Sequence, residues 1–209
     1  MRVLVIADRP LREELMTGVS NDSIQVEWIS DINDLSSGAS FDACIDLLFQ
    51  NTRTRIKWLN NLQAPMIIIN SVIDTLGEIG QDYVRINGWP TFLQRNKVEA
   101  TTLHEELKSK AEQLFESFGK KITWTPDIAG FLTARVIATI INEAYIALEE
   151  GVSTTDEIDI AMKLGTNYPY GPFEWSQKIG LEPVFALLTK LAKDQERYRP
   201  SALLEKNLK

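Results

Sequence analysis

Short apolar segments alternate with amphipathic segments along the first half of the chain. Four segments are predicted to be strands, namely RVLVIAD, SIQVEWIS, FDACIDLLF and APMIIIN. Two segments between them, LREELMTGV and TRIKWLNNL, have apolar residues at helical spacing. Strands of this kind, separated by helices, are typical of a mostly parallel sheet that is covered by helices.

Three further segments follow before residue 127. YVRINGW and KKITWTPD are predicted to be strands. The intervening segment VEATTLHEELKSKAEQLFESFG is predicted to be one helix, because Gly119 is a typical C-terminal stop. The first half is therefore predicted to be an α/β domain that spans residues 1–126.

Strand patterns are missing from the rest of the chain, which is predicted to be a helical domain spanning residues 127–209. A long helix is expected in GFLTARVIATIINEAYIALEEG, with Gly151 at its end. Thr154 and Glu157 fit a capping box that begins the next helix. NYPYGPFEW is expected to be an ordered loop, and LEPVFALLTKLAKDQ a third helix.

Composition and charge narrow the classes of partner. Hydrophobic residues make up 44% and charged residues 24%, an ordinary soluble composition. The net charge of -7, without a Lys/Arg cluster, argues against nucleic acid or an anionic membrane as a partner.

The single cysteine, Cys44, excludes an internal disulfide. No apolar segment approaches the roughly 18 residues of a membrane span. Because MRVLVIAD is also unlike a leader peptide, the expected location is cytoplasmic.

The helical half contains a series of short motifs in a fixed order. They are Gly130-Phe131, Arg135, Asn142-Glu143-Ala144, Glu150-Gly151-Val152, Asp156-Glu157-Ile158-Asp159, Ala161-Met162-Lys163-Leu164-Gly165, Tyr168-Pro169, Gly171-Pro172-Phe173-Glu174, Ile179-Gly180-Leu181 and Arg197-Tyr198-Arg199-Pro200. Each motif alone is short, but the series in register is specific. It resembles the C-terminal domain of the NAD-dependent 3-hydroxyacyl-CoA dehydrogenases, enzymes of fatty-acid metabolism.

The resemblance implies a shortened Rossmann-like domain followed by a helical domain of the 6-phosphogluconate-dehydrogenase C-terminal type. In that family the helical domain forms most of a homodimer interface and one wall of an acyl-CoA cleft. Tyr168, Pro172 and Phe173 match the cleft side, so an acyl-CoA ligand is an expectation. The same three residues also suit a structural role in the core.

A homodimer is also expected from the long helix itself. Its apolar residues occupy more than one stripe, and a helix that is apolar on several faces is buried on several faces. The helical half is small for covering such a helix alone. The residues concerned are Phe131, Leu132, Val136, Ile137, Ile140, Ile141, Tyr145, Ile146 and Leu148.

Cofactor binding in this family needs a glycine-rich turn after the first strand. The corresponding segment here runs from Ala7 to Arg12 without a glycine. Asp8 brings a negative charge to the phosphate position, and Pro10 removes an amide donor. Asp31, after the second strand, is expected to be a loop cap rather than a ribose ligand. No cofactor is therefore expected, and no metal cluster.

The resemblance also locates the family's catalytic groups. Of these, Glu99 is retained, whereas Asn87 stands at the position of the catalytic His and Ala134 at that of the substrate-binding Asn. The family's Ser corresponds to Val72 or Ile73. The only histidine, His104, is expected to be a solvated residue on the helix after Glu99.

Three hypotheses follow from these residues. The first is a 3-hydroxyacyl-CoA dehydrogenase homologue without NAD binding or hydride transfer, a pseudoenzyme that retains an acyl-CoA-type cleft. The second is an active NAD-dependent 3-hydroxyacyl-CoA dehydrogenase with an altered site. The third is a non-catalytic structural or regulatory dimer. The glycine-free turn and the missing His argue against the second hypothesis.

Overall fold

The chain folds into a sheet-based unit and a helical unit. The computed structural model describes residues 1–19, 24–35 and 39–208. The two compact units are Met1–Phe131 and Leu132–Lys209. This division lies a few residues beyond the boundary expected after residue 126.

In the described part of the first unit, seven strands form one sheet. They are β1 (Arg2–Ile6), β2 (Gln25–Ile29), β3 (Ala43–Asp46), β4 (Ile67–Asn70), β5 (Val84–Ile86), β6 (Lys97–Thr101) and β7 (Lys121–Trp124). Their order is β2-β1-β3-β4-β5-β6-β7, and all neighbouring pairs are parallel except β5 and β6. The mostly parallel sheet expected from the apolar runs is confirmed.

The order of the strands reverses direction at β1. The chain passes from β1 outward to β2 and then crosses to β3 on the other side of β1. Strands β1 and β3 are buried on both faces, as expected of continuous apolar runs. Parallel sheets with such a switch point bind ligands outside the carboxyl ends of the strands, beside the reversal. The residues that follow β1 and β3 are therefore the first place to look for a site.

Helices of the first unit pack on both faces of the sheet. They are α1 (Arg9–Met16), α2 (Arg53–Asn61), α3 (Leu76–Ile79) and α4 (Glu105–Ser117), with a 3-10 helix at Ile32–Asp34. Leu11 and Leu15 of α1 share one apolar cluster with Phe115 of α4. Leu59 of α2 and Leu76 of α3 belong to a second cluster. Alternate residues of β1 contribute to the two clusters, so the two faces of the sheet bury separate cores.

The long helix expected between Val98 and Gly119 is wrong in its first part. Lys97–Thr101 is strand β6, and α4 begins only at Glu105. β6 pairs antiparallel with β5 and parallel with β7, so backbone hydrogen bonds to two neighbours favour the extended form. The predicted end is confirmed, because Gly119 has a φ of 69° beside the end of α4.

The described part of the second unit contains helices and no strand. Its helices are α5 (Thr133–Glu149), α6 (Thr155–Thr166), α7 (Pro172–Ile179), α8 (Leu181–Ala192) and α9 (Ala202–Lys206), with a 3-10 helix at Glu196–Tyr198. Helix α5 packs against α7, α8 and α9, and its buried residues include Ile137, Ile141 and Tyr145. The expected α/β plus all-α fold is confirmed.

Local hydrogen bonds explain where α6 and α7 begin. Glu157 N donates to Thr154 Oγ1 at 3.3 Å and Thr154 N donates to Glu157 Oε2 at 3.2 Å, which confirms the predicted capping box. The segment NYPYGPFEW is not a loop throughout, since α7 begins at Pro172. Proline is favoured in the first turn of a helix because its missing amide is not needed there.

Candidate functional site

The turn between β1 and α1 lies at the switch point of the sheet. Asp8 is the N-cap of α1, and its Oδ1 accepts a hydrogen bond from Leu11 N at 2.9 Å. Pro10 lies in the first turn of the helix and has no amide to donate. Leu11 N, one of the amides at this helix end, is therefore already bonded to a carboxylate of the same chain.

Asp31 follows β2, where the family resemblance suggested a ribose-binding acid. Asn33 N donates to Asp31 Oδ1 at 2.8 Å, and Asp31 N donates to Asp34 Oδ2 at 3.2 Å. These reciprocal bonds cap the 3-10 helix that begins at Ile32. Asp31 is a loop cap, as the sequence predicted.

Asn87 directly follows β5 and lies beside Glu99, which is in the middle of β6. Asn87 Nδ2 donates to Glu99 Oε2 at 3.0 Å, and Asn87 N donates to the Glu99 backbone oxygen at 3.0 Å. The antiparallel pairing of β5 with β6 brings the two residues opposite each other. Asn87 is 2% exposed, so its amide is bonded to the carboxylate within the protein interior.

A second polar contact lies beside this pair. Gly88 N donates to Asn70 Oδ1 at 2.9 Å, while Asn70 Nδ2 donates to the backbone oxygens of Gly88 at 3.0 Å and Leu47 at 3.1 Å. A Cβ at Gly88 would lie 2.9 Å from Asn70 Cγ, so only glycine allows this approach. Asn70 therefore links the ends of β3, β4 and β5 through backbone groups.

The carboxyl end of β3 is held by an ion pair. Asp46, fully buried, accepts two hydrogen bonds of 2.6 Å from Arg55 Nε and Nη2. Burial raises the pKa of Asp46, and the guanidinium of Arg55 opposes that shift. In the loops that follow β3 and β4, Asn51 Nδ2 donates to Asp74 Oδ2 at 3.0 Å.

The positions that the resemblance assigns to the family's Ser and Asn hold apolar side chains. Val72 is buried, Ile73 is half-buried, and the side chain of Ala134 is fully buried within α5. The side chains of valine, isoleucine and alanine neither donate nor accept a hydrogen bond. Ser71, the hydroxyl nearest in sequence, donates to the backbone oxygen of Asp74 at 3.0 Å.

His104 is half-buried instead of fully solvated, and it precedes α4 instead of lying within it. Its Nε2 lies 2.8 Å from Asp82 Oδ1 and its Nδ1 lies 3.0 Å from Glu106 Oε1. Hydrogen bonds to Asp82 and Glu106 raise the pKa of His104. The imidazole of this histidine therefore bridges two carboxylates.

The three predicted cleft residues lie near one another in the helical unit. Tyr168 contacts Trp175 edge to face at 5.4 Å, and Phe173 packs on Tyr145 at 5.0 Å between ring centroids. Pro172 and Phe173 are buried and Tyr168 is half-buried. These contacts are those of a packed core.

Asp159 positions the helix that holds two of these residues. Its carboxylate accepts hydrogen bonds from Phe173 N at 2.8 Å and Glu174 N at 3.0 Å, at the N-terminus of α7. A Cβ at Gly171 would lie 2.2 Å from Asp159 Oδ1, which explains the glycine. A cavity of about 410 Å³ opens beside Phe173 and Tyr145, and its lining includes Asp156, Asp159 and Glu182.

Two buried cations were not found from the sequence. Arg85, fully buried, donates to the backbone oxygens of Ser71 and Ile128 at 2.9 Å each and lies 2.9 Å from Asp127 Oδ1. Its guanidinium also stacks on Phe131 at 4.1 Å. Burial lowers the pKa of Arg85, against the effect of Asp127. An arginine inside the apolar segment YVRINGW was the available signal.

Lys120 is the second buried cation. Its Nζ donates to the backbone oxygens of Leu93 at 2.6 Å and Thr17 at 3.2 Å, with those of Glu14 and Arg95 at 3.4 Å. Burial lowers the pKa of Lys120. The ammonium therefore donates hydrogen bonds to carbonyl oxygens at the end of α1, where the helix dipole favours a cation.

Two negative findings concern the described residues. Among residues 1–19, 24–35 and 39–208, no three or more His, Cys, Asp or Glu side chains are grouped to hold a metal ion. In the same residues, helices that combine the length and apolar character of a membrane span are not found.

Comparison with known proteins identifies the helical unit. Residues 130–209 match the family model of the 3-hydroxyacyl-CoA dehydrogenase C-terminal domain. The chain is 43% identical over 97 residues to a 3-hydroxyadipyl-CoA dehydrogenase of Escherichia coli, which covers 46% of this chain and 20% of that enzyme. It is 35% identical over 98 residues to a 3-hydroxybutyryl-CoA dehydrogenase of Bradyrhizobium diazoefficiens, covering 46% of this chain and 33% of that enzyme. The chain thus matches a third or less of the length of these relatives.

Solved structures extend the likeness in fold to almost the whole chain. The (S)-3-hydroxybutyryl-CoA dehydrogenase of Ralstonia eutropha superposes with a TM-score of 0.75 at 18% identity, over 98% of this chain and 92% of that chain. A 3-hydroxybutyryl-CoA dehydrogenase of Escherichia coli K12 superposes with a TM-score of 0.60 at 31% identity, over 68% and 31%. The chain is therefore a relative of the 3-hydroxyacyl-CoA dehydrogenases, and its residues 130–209 belong to the family of their C-terminal domains.

Proposed function

We propose that the chain is a 3-hydroxyacyl-CoA dehydrogenase homologue that neither binds NAD nor transfers hydride. The observation that supports this most strongly is the bond from Leu11 N to Asp8 Oδ1 at 2.9 Å. A pyrophosphate needs the amides at this helix end and would meet the charge of Asp8 there. Pro10 removes another donor. The residues present do not fit NAD in the family's manner.

The pair Asn87 and Glu99 supports the second part of the proposal. Hydride transfer from a hydroxyl group needs a base that accepts the hydroxyl proton, and a histidine suits that task near neutral pH. The amide of Asn87 has no basic nitrogen, and it donates to Glu99 instead. The carboxylate therefore orients an amide rather than a base.

Acetoacetyl-CoA reduction tests the proposal against the hypothesis of an active enzyme with an altered site. The assay follows NADH oxidation, with a 3-hydroxybutyryl-CoA dehydrogenase as the positive control. We expect no turnover above background for this chain. Turnover that disappears in a Glu99→Ala variant would show that an altered site is active, because background activity does not depend on that carboxylate.

We also propose that the chain forms a homodimer through its helical unit. On α6, Ile160 and Leu164 lie one turn apart and are 53% and 83% exposed, and only Asp159 of this helix is buried. Apolar residues at that spacing on one helix face favour association. A second copy that presents the same face gives a closed, isologous contact.

We also propose an acyl-CoA ligand, which fewer observations support. The relatives named above act on acyl-CoA substrates, and Phe173 lines a cavity of about 410 Å³. The carboxylates of Asp156 and Glu182 on the same cavity disfavour the phosphates of coenzyme A. A thermal-shift series with CoA and acyl-CoAs of several lengths tests it. If none raises the melting temperature at millimolar concentration, a purely structural or regulatory dimer is the better description.

The proposed compartment is the cytoplasm. The single cysteine, Cys44, is a buried free thiol, and burial raises its pKa. An unpaired, unreactive thiol suits a reducing compartment. Fractionation of cells that produce the protein, with detection by antibody, tests this assignment.

A further inference from the structure

A second cavity of the helical unit has a lining that differs from the one beside Phe173. Its volume is about 360 Å³, which is the size of a small-molecule site rather than of a macromolecular interface. It lies between α5 and the 3-10 helix Glu196–Tyr198. The described lining residues include two arginines and no acidic residue, and they are Arg135, Val136, Thr139, Ile140, Arg197 and Tyr198.

One half of this cavity is cationic. Arg135 Cζ lies 5.7 Å and Arg197 Cζ lies 4.6 Å from the centroid of the Tyr198 ring. Arg197 Nη2 also donates to the Tyr198 hydroxyl at 2.6 Å. Both guanidinium groups line the cavity beside the Tyr198 ring, so this half of the cavity carries the positive charge that suits an anion. Tyr198 keeps its own hydroxyl proton for a second acceptor.

The other half of the cavity is apolar. Val136 and Ile140 lie one turn apart on α5, and Val136 is 45% exposed. The hydroxyl of Thr139, between them in sequence, donates to the Arg135 backbone oxygen at 2.9 Å, so its proton is already used. This side offers a ligand two aliphatic surfaces and no further strong donor among the lining residues that the structure describes.

We propose that this cavity binds a small organic carboxylate, with the charged group between Arg135 and Arg197 and an apolar body on Val136 and Ile140. The planar guanidinium fork matches a carboxylate in two parallel hydrogen bonds. Inorganic phosphate satisfies the arginines but leaves the aliphatic half uncovered. A neutral alcohol with an aliphatic chain covers the aliphatic half but brings no negative charge to the arginines. The proposal is independent of NAD binding and of the function assigned to the turn at Asp8.

Octanoate is the probe, because it joins one carboxylate to one aliphatic chain. Methyl-resolved NMR of the intact chain follows Val136 and Ile140 during the titration, and calorimetry gives the affinity. We expect saturable shifts at both residues with octanoate. With 1-octanol, acetate or inorganic phosphate, binding is expected to be about tenfold weaker or more. Equal binding of octanol and octanoate, or shifts confined to residues outside the lining, overturns the proposal.

Two arginine variants provide the matched comparison. Arg197→Gln removes a lining charge, whereas Arg199→Gln removes a neighbouring exposed arginine that pairs with Glu196 at 3.1 Å. We expect about tenfold weaker octanoate binding in Arg197→Gln and unchanged binding in Arg199→Gln. Equal losses in the two variants contradict a defined site. Concentration-dependent shifts of Val136 without octanoate indicate that a second copy covers this face, and that result also overturns the proposal.

Discussion

Asn87, which directly follows β5, donates a hydrogen bond of 3.0 Å from its side-chain amide to Glu99 Oε2 in the antiparallel strand β6. In the family that this chain resembles, a histidine and a glutamate occupy these two positions. Under the proposed function, the carboxylate that orients a base in that family orients an amide in this chain.

The Asn87–Glu99 contact makes a prediction about charge. Asn87→Asp places a second carboxylate beside Glu99 at a position that is 2% exposed. We expect the variant to lose about 2 kcal/mol of unfolding free energy at pH 7, because two adjacent carboxylates cannot both ionise without cost. Urea denaturation at several pH values measures the loss.

The pH dependence and a second substitution check the cause. A carboxyl pKa raised by its neighbour means that the folded variant regains stability as the pH falls and a proton binds. The double variant Asn87→Asp, Glu99→Gln restores one carboxylate and one amide, so most of the lost stability should return. A double variant as unstable as the single one would contradict the pairing.

Arg85 is predicted to stabilise the sheet-based unit. Arg85→Met removes the ion pair with Asp127 and the bonds to two backbone oxygens. We expect a loss of about 3 kcal/mol, because breaking a buried pair leaves its partner uncompensated. Arg95→Met is the control, since Arg95 is exposed and stacks on Phe92. Thermal and urea unfolding of both variants measure the loss of stability. Equal losses in the two variants would contradict a stabilising role of the buried contacts of Arg85.

His104 gives a prediction for mildly acidic pH. Asp82 and Glu106 raise its pKa above the ordinary 6.5, so the protonated form is favoured in the folded protein. Stability from this contact is present below the unfolded pKa and is lost as the pH rises through the folded pKa. His104→Gln should therefore lower the melting temperature at pH 5.5 and leave it unchanged at alkaline pH. A loss that is the same at both pH values would assign the effect to something other than protonation.

The strands of the first half were predictable because each is a short apolar run between polar turns. β6 was not, because VEATT precedes a strongly helical sequence and only pairing with β5 and β7 makes it extended. The start of helix α7 at Pro172 was not predictable for a related reason. Its N-terminus depends on the carboxylate of Asp159, which is distant in sequence.

Part of the candidate site was also predictable from order along the chain. The family positions of Asn87 and Glu99 and the place of Asp8 after β1 were read from the sequence, but the hydrogen bond between Asn87 and Glu99 was not predicted. The roles of Arg85 and Lys120 were not predictable, because a charged residue is buried only when tertiary structure supplies its partners. Their partners are mainly backbone oxygens, which no residue pattern reveals.

The proposed dimer predicts a change of mass. Leu164→Glu places a charge on the exposed apolar face of α6, and the variant should sediment as a monomer near 23.7 kDa. Leu103→Glu is the matched control, because Leu103 is 61% exposed in the other unit. The unmodified chain and the control are expected to sediment as dimers at micromolar concentration. A monomeric unmodified chain would show that the dimer is wrong.

The central claim is that the turn after β1 no longer binds the pyrophosphate of NAD. Calorimetric titration of the intact chain with NADH measures this directly, without any assumption about the substrate. Because Asp8 occupies the helix end through Leu11 N and Pro10 offers no amide, the account predicts a dissociation constant no tighter than millimolar. A micromolar dissociation constant would contradict it.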